Sequence, residues 1–385
     1  MKKKKLVILI FIIYMCPIIL CGCWNYKEIE TYEIIAGMAV DKDKITNKYI
    51  LTIEIITAQL QGSSSSTSSK LYRSEGDSIF NAERSMVAKI GSPIFFNDAK
   101  VIIISESLAM EGVIPTIDWT NRDSASRSDM WMLIAKGNSA AEILKANVKP
   151  NQIVSFNLDN CMNESKLLSK FPESKVWSFI DGISSKGKSE TVATVKNEFD
   201  EENIAPRLGG SAIFKSDKLV GYLDDDETLY MLMIKNKLKE GLITLKHVSG
   251  SDTNITLEIF KNRTKLTPLY NNGKVSLIID IYPVVTIGEV LGTKNFMDEE
   301  NLKILQGEAE KKIEAQIQYL ISKLQKDYNS DVLGFGEIFK EEKPMVSKNF
   351  QKNKEGIFAS IKTEVNVHLQ IKGSGKTKYP ISIGK

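Results

Sequence analysis

The chain has 385 residues, of which 42% are hydrophobic, and it carries 51 lysines and arginines against 48 aspartates and glutamates. This length predicts two or three domains, each large enough to bury a core. The composition excludes a collagen-like, a disordered or a disulfide-framework protein. Four basic residues are Lys2 to Lys5, so beyond residue 22 there are 47 basic and 48 acidic residues, a net charge of −1. That balance argues against a nucleic-acid-binding protein, which needs a basic surface.

The N-terminus has the parts of an export signal. The four lysines precede an apolar run of 17 residues, from Leu6 to Gly22, that Pro17 interrupts. This length is at the short limit for crossing a bilayer core of about 30 Å. The segment Leu20–Cys23 has the pattern of a bacterial lipobox, in which a small residue precedes a cysteine that receives diacylglycerol. We therefore predict a lipoprotein signal peptide at residues 1–22 and lipidation of Cys23. An uncleaved signal anchor with an incidental cysteine is the alternative.

Lipidation predicts where the rest of the chain lies. One acyl chain binds a membrane marginally, whereas two anchor a protein stably. Beyond the signal segment no apolar run reaches 18 residues. We therefore expect a water-soluble body held at the outer leaflet, outside the cytoplasm.

The next part of the chain alternates strand and helix patterns. Residues 33–40 and 49–58 predict a β-hairpin, and the polar segment at 62–69 predicts a mobile loop, because it has no apolar anchor. Buried strands are expected at 100–105 and 130–135, which predicts a mixed, partly parallel sheet. Helices are expected at about 77–90, 106–119, 139–146 and 173–180, and a further strand at 191–196.

The polar, acidic segment at 197–206 predicts a domain boundary. Residues 23–200 would then form an N-terminal α/β domain, and residues 207–372 a C-terminal one. The alternative divides the latter near residue 240 into a small central domain and a larger C-terminal domain. Residues 373–385 are expected to be a tail.

The second half predicts more strands and one long helix. A hairpin is expected at 208–223, followed by a helix that Asp224 to Glu227 open, since acidic residues suit a helix N-terminus; a divalent-cation site is the alternative. A helix at about 298–326 has one apolar stripe, which we expect to pack on a sheet, with a coiled-coil partner as the alternative. Further strands are expected at about 241–249, 253–262, 274–287 and 358–371. The predicted fold class is mixed α/β (α+β) and multidomain, with a largely antiparallel C-terminal sheet.

One charged cluster precedes the buried strand at 130–135. It contains Arg122, Asp123 and Arg127, with Asp129 two residues further on. Opposite charges at such spacings satisfy each other locally, so we expect an internal ion-pair network. A contact with an anion or a protein partner is the alternative.

Other chemically reactive residues are few. Asp41 and Asp43 predict a plain turn, because the EF-hand pattern fails at its glycine and its closing glutamate. Cys161 is expected to be a buried small hydrophobe, with a reactive thiol as the alternative. With two histidines and no paired CxxC motif, the sequence predicts no catalytic residue, no metal site and no cofactor.

Five segments match a known family pattern in the expected order. They are Cys23-Trp24-Asn25 with Lys27–Glu30, Ala36–Asp41, Lys100–Glu106, Arg122-Asp123 with Arg127, and Gly209–Gly221 through Glu227. Together they resemble the spore germination lipoproteins, the C subunits of nutrient germinant receptors (GerC type). The resemblance spans about residues 20 to 372. The departures are Cys21 in the lipobox, Asn25 and the serine-rich segment.

The resemblance implies a function that composition does not show. Such proteins are lipid-anchored on the outer face of the spore inner membrane and work beside integral-membrane subunits of the same receptor. In this family the part of the chain that follows the lipid anchor has three mixed α/β domains and no enzyme activity. Two other classes remain open from the residues: a wall-acting lipoprotein enzyme and a solute-binding lipoprotein.

Overall fold

The computed structural model describes residues 31–61, 64–122, 126–137, 139–146, 152–184, 189–200, 203–248, 253–291, 295–343 and 354–374, with a few residues before residue 31. It confirms the predicted mixed α/β fold class. The strands are β1 Glu33–Lys42, β2 Tyr49–Gln61, β3 Ser64–Gly76, β4 Ile94–Phe95, β5 Val101–Ser105, β6 Trp131–Ala135, β7 Ser189–Asp200, β8 Asn203–Lys215, β9 Lys218–Leu223, β10 Gly241–Leu245, β11 Asn254–Lys261, β12 Thr264–Asn271, β13 Lys274–Ile281, β14 Val284–Leu291, β15 Lys362–Val367 and β16 Gln370–Ile371. The helices are α1 Ile79–Ile90, α2 Glu106–Glu111, α3 Ile114–Arg122, α4 Ala140–Leu144, α5 Val154–Asn163, α6 Val176–Ser184, α7 Asp225–Ile234, α8 Glu299–Lys323, α9 Phe335–Glu342 and α10 Lys354–Ser360.

A nine-stranded sheet organises the first half. Its order is β3-β2-β1-β5-β6-β7-β8-β9, with β4 beside β1. The central strands β1, β5, β6 and β7 are parallel, and antiparallel pairs flank them. Every residue of β5 and β6 is buried, because α1, α2, α3 and α6 cover one face of the sheet and α4 and α5 cover the other. The predicted mixed, partly parallel sheet is therefore confirmed.

From Ser64 onward the serine-rich segment is a strand, so the predicted loop was wrong for residues 64–69. β3 pairs antiparallel with β2 along its whole length. Hydroxyl groups add to the pairing: the Oγ atom of Ser68 lies 2.8 Å from Oγ1 of Thr57, and Ser69 donates a hydrogen bond of 2.7 Å to Glu54. Composition could not reveal this outcome, because the backbone partner that satisfies the polar segment is the neighbouring strand β2.

The predicted boundary segment lies within the large sheet. β7 and β8 pair antiparallel up to Asp200 and Asn203, and β9 follows as an edge strand that ends at Leu223. The sheet therefore continues on both sides of residues 201–202 and ends at Leu223, between the predicted boundary and the alternative division near residue 240. The division of the chain into domains stays a prediction.

Two smaller sheets and one long helix form the second half. The sheet orders are β10-β11-β14-β16 and β12-β13-β15, in which the pairs made by β15 and β16 are parallel and the others antiparallel. Asp298 caps α8, whose 25 residues pack along α7 and β15. The expected stripe is buried and faces this core, at Leu305, Ala309, Ile313, Ile317 and Leu320. The prediction that the stripe packs within the molecule is confirmed.

Two strand predictions in this half were partly wrong. The segment 274–287 forms two strands, β13 and β14, which Tyr282 and Pro283 separate, since proline has no N–H group for a sheet ladder. An unpredicted strand, β12, pairs with β13 through a turn at Asn272 and Gly273, both of which have positive φ angles. The segment 358–371 begins in α10 and continues as the two short strands β15 and β16.

Helix α7 joins the two halves. Residues 227–234 are all buried, because α7 contacts both β8 of the large sheet and α8. Asp224 and Glu227 form a capping box, as the acidic helix start predicts. Glu227 also accepts a hydrogen bond of 2.7 Å from Lys323 of α8. The ring of Tyr328 lies against Gly221 of β9 and leaves no room for a side chain there. The two halves are thus held together by shared core packing and a largely buried ion pair.

Candidate functional site

Arg122 and Arg127 of the predicted cluster each form a local ion pair. Arg122 ends α3, and its Nε atom lies 2.6 Å from Oδ2 of Asp118, one turn earlier. Arg127 lies 2.8 Å from Asp129. The hydrogen bond and charge of Asp118 raise the pKa of Arg122. Asp123 lies outside the described residues. The structure therefore gives the two arginines separate, exposed partners, and the role of the cluster stays a prediction.

A cavity of about 380 Å³ lies beside Arg122, and we call it the arginine-side cavity. Trp119 is 6% exposed and meets Phe96 edge-on, with ring centroids 5.1 Å apart. In the described part of the chain its indole N–H has no hydrogen-bond partner. Phe80 is partly exposed, and the guanidinium of Arg84 lies 4.7 Å from its ring centroid. The lining residues are Ser78, Ile79, Phe80, Pro115, Asp118, Trp119 and Arg122.

A larger cleft of about 420 Å³ lies between the two halves, and we call it the lysine cleft. One wall is the segment 165–178, and the other is formed by the end of α7 and the residues after it, 232–239. Trp131 lines it and is 6% exposed; its indole N–H donates a hydrogen bond of 2.7 Å to Asp159. The charged lining residues are Lys166, Lys175, Lys237, Lys239 and Glu173. The sequence did not indicate this cleft, because its lysines come from two distant segments with no shared motif.

Two buried carboxylates in the large sheet hold helices in place. Asp41 of β1 accepts hydrogen bonds of 2.8 and 3.0 Å from the backbone amides of Ala140 and Ala141 at the start of α4. Glu54 of β2 accepts bonds of 3.0 and 2.9 Å from the first two amides of α5. Carboxylates are stabilised at a helix N-terminus by unpaired amides and by the helix dipole. These acids therefore anchor helices to the sheet, which the sequence did not predict.

Two single-residue predictions have different outcomes. Asp43 accepts hydrogen bonds from the amides of Ile45 and Thr46, which confirms the plain turn, and these bonds lower its pKa. Cys161 is exposed on α5, so the prediction that it is buried was wrong. The helix turns its other face, with Leu158, to the core. Partial burial of the thiol still raises the pKa of Cys161, which disfavours the reactive thiolate.

The predicted lipidation site, Cys23, lies outside the described residues, and its modification stays a prediction. Across the described residues, no helix combines the length and the apolar character needed to cross a membrane. In the same residues, no three histidine, cysteine, aspartate or glutamate side chains are grouped so that they could hold a metal ion.

Comparison with known proteins gives matches along most of the chain. Residues 25–196 match the family model for the spore germination protein N-terminal domain, and residues 209–375 match the model described as spore germination B3/GerAC like, C-terminal. Spore germination protein B3 of Bacillus subtilis (strain 168) is 26% identical over 369 residues, which cover 94% of this chain and 96% of that protein. Spore germination protein YndF of the same strain is 26% identical over 413 residues, with 98% and 100% coverage. The crystal structure of the GerBC protein matches with a TM-score of 0.56 and 21% identity, covering 87% of this chain and 97% of that one, which indicates the same fold.

Proposed function

Because the chain belongs to the germinant receptor C-subunit family of spore germination proteins, we propose that it is the lipid-anchored, extracytoplasmic subunit of a nutrient germinant receptor. In this proposal it lies on the outer face of the spore inner membrane. It acts by docking to the integral-membrane subunits of the same receptor.

The extent of the family match carries this proposal. The two family models account for both halves of the body, and the first begins at residue 25, two residues after Cys23. Lipidation of Cys23 with diacylglycerol and a further acyl chain, such as palmitate, would therefore hold the family body directly at the membrane surface. Anchoring by two or more chains is stable, whereas a single chain binds marginally.

We further infer that the subunit works without catalysis. A hydrolase of wall material uses a pair of acids that can reach the scissile bond. Asp41 and Glu54 are buried acids of the large sheet, but both are occupied by helix amides. Their arrangement supports a structural role better than an acid–base role.

Intact-mass measurement of the membrane-extracted protein tests the anchor. We expect the native chain to have the mass of residues 23–385 plus diacylglycerol and any further acyl group. Cys23→Ala should lose this lipid mass and keep residues 1–22 or leave the membrane. Cys161→Ala is the matched control and should keep the lipid. A native protein that retains residues 1–22 and carries no lipid would contradict the anchor.

Co-purification tests the docking part. The full chain is co-expressed with the two membrane subunits of its receptor, one of which carries an affinity tag. We expect the chain to be recovered with the tagged subunit after detergent extraction. Recovery equal to that from cells without the tagged subunit would overturn the docking role.

A further inference from the structure

We infer that the lysine cleft is the docking site for an acidic segment of another subunit of the receptor, a segment that also carries an apolar side chain. This inference rests on the proposed function and adds to it the place and the chemistry of the contact.

The walls of the lysine cleft are fixed by backbone hydrogen bonds. On one wall, the backbone of Ser174 and Val176 forms hydrogen bonds with residues in and next to β6. From the other wall, the backbone N–H of Glu240 donates a hydrogen bond to the carbonyl of Lys166. These bonds are Met132 N to Ser174 O at 2.8 Å, Val176 N to Met130 O at 3.1 Å, Gly210 N to Lys170 O at 2.9 Å and Glu240 N to Lys166 O at 3.2 Å. A site that is already formed loses little conformational entropy when a partner binds.

The charge of the cleft is largely uncompensated. Four lysines and one glutamate line it. Among the residues that the structure describes, Lys166, Lys237 and Lys239 form no ion pair. Such a concentration of positive charge favours an anionic partner and steers its approach.

The end of α7 does not account for these lysines. A helix C-terminus carries about half a negative elementary charge, which favours a nearby cation. Lys235 already occupies the C-cap of α7, and its ammonium group donates a hydrogen bond of 2.7 Å to the carbonyl of Val332. Lys237 and Lys239 lie beyond that end and form no ion pair among the described residues, so both ammonium groups are available to an anionic partner.

The apolar part of the site consists of two tryptophans that line the cavity and two exposed leucines that follow Lys166 in the chain. Lys175 places its ammonium group 4.6 Å from the ring centroid of Trp131, which leaves the buried indole beside a cation. Trp177 is 55% exposed, and Leu167 and Leu168 are 55% and 46% exposed. Tryptophan is enriched among the residues that dominate binding energy at protein interfaces.

These exposed side chains favour a polypeptide over a small ligand. Leu167 and Leu168 do not line the cavity, so a molecule that filled the cavity would leave both leucines in water. A chain segment that placed a carboxylate among the lysines could cover Trp177 and the leucines with its neighbouring residues. The combination of cationic and apolar surface therefore indicates an acidic segment with an apolar side chain.

Co-purification with the membrane subunits tests this site with the full chain. The test variant is Lys166→Glu/Lys237→Glu/Lys239→Glu, and the control is the double charge reversal Lys44→Glu/Lys48→Glu at the exposed β1–β2 turn. We expect the triple variant to reduce recovery on the order of tenfold and the control to leave it unchanged. Trp177→Ala should also reduce recovery. Raising the salt concentration from about 0.1 M to about 0.5 M should weaken the unmodified contact, because the screening length falls below roughly 5 Å.

The outcomes separate the cleft from the proposed function. If the unmodified chain and the triple variant are recovered equally, the cleft assignment is wrong and the docking role stands. If the unmodified chain is not recovered, both fall. If the unmodified chain binds phosphatidylglycerol vesicles more strongly than phosphatidylcholine vesicles, and the triple variant loses that difference but keeps its recovery with the subunits, the cleft binds membrane and the assignment is overturned. Thermal unfolding checks that the variants fold, and Lys→Gln changes at the same three positions replace the triple variant if it does not.

Discussion

The arginine-side cavity and the lysine cleft each contain a tryptophan that is 6% exposed, yet they differ in how their polar groups are satisfied. In the arginine-side cavity Arg122 is neutralised by Asp118 on its own helix, and the N–H of Trp119 has no partner among the described residues. In the lysine cleft the N–H of Trp131 is paired with Asp159, whereas three lysines have no ion-pair partner among the residues described.

The contrast in charge compensation indicates which of the two regions can bind a partner. A charge that is paired within one helix turn gains little from an external partner, because the partner must displace the existing pair. Uncompensated charges on rigid walls gain from a complementary partner without that cost. Each region contains a tryptophan that is 6% exposed, so charge compensation is the feature that distinguishes the lysine cleft.

The largest expected effect comes from reversing the charge of the basic side chains in each of the two regions. Arg122→Glu/Arg127→Glu should change recovery with the membrane subunits by less than about twofold, since these arginines serve local pairs. The lysine-cleft triple variant should lose recovery on the order of tenfold. Both are compared in one co-purification experiment. If the arginine variant lost more recovery than the lysine-cleft variant, the surface around Arg122 and Arg127 would be the contact with the partner.

Replacing Trp131 with phenylalanine should lower stability by about 1–3 kcal/mol. The change removes the hydrogen bond to Asp159 and weakens the contact with Lys175, and it leaves part of the indole volume empty. Denaturant unfolding monitored by circular dichroism measures the loss. If Trp131→Phe lowered the free energy of unfolding no more than Trp119→Phe, the hydrogen bond from Trp131 to Asp159 would contribute nothing to stability.

Replacing Trp119 with phenylalanine is the matched case and should cost less than about 1 kcal/mol. Its indole N–H has no described partner, so removing this buried donor offsets part of the lost packing against Phe96. The same unfolding experiment applies. A large loss would indicate that the indole N–H has a partner in solution.

The smallest expected effect is that of Arg122→Ala. The ion pair with Asp118 is exposed, and exposed pairs contribute little to folding stability. The midpoint of thermal unfolding should therefore stay within measurement error of the native value at low and at high salt. A clear decrease at low salt that disappears at high salt would show that the pair braces the loop after α3.

Local patterns predicted most elements of the fold. The all-apolar runs at β5 and β6 predicted buried strands, and the spacing of Leu305, Ile313 and Leu320 predicted one buried helix face. These predictions succeeded because the burial of an apolar stripe depends on its own periodicity. Strand ends were predicted less accurately, since Pro283 divides a segment that is apolar on both sides.

The candidate sites could be predicted only in part. The arginine cluster could be recognised because its residues are close in sequence. The ion-pair partner of Arg122 in the structure, Asp118, is also close in sequence, one helix turn earlier. The lysine cleft was invisible because Lys166 and Lys237 meet only after the two halves pack together. A single sequence gives no signal that links such distant residues.

Local sequence patterns were enough to predict the alternation of strands and helices, the amphipathic long helix, the signal-like N-terminus with Cys23 and the family motifs. The packing of the whole chain makes residues 64–69 a strand, places Asp41 and Glu54 at the starts of helices about 100 residues away, and brings the lysines of the cleft together. The reason is physical. Apolar burial follows a local period, whereas a polar group is stabilised by a particular partner whose position is set by the packing of the whole chain.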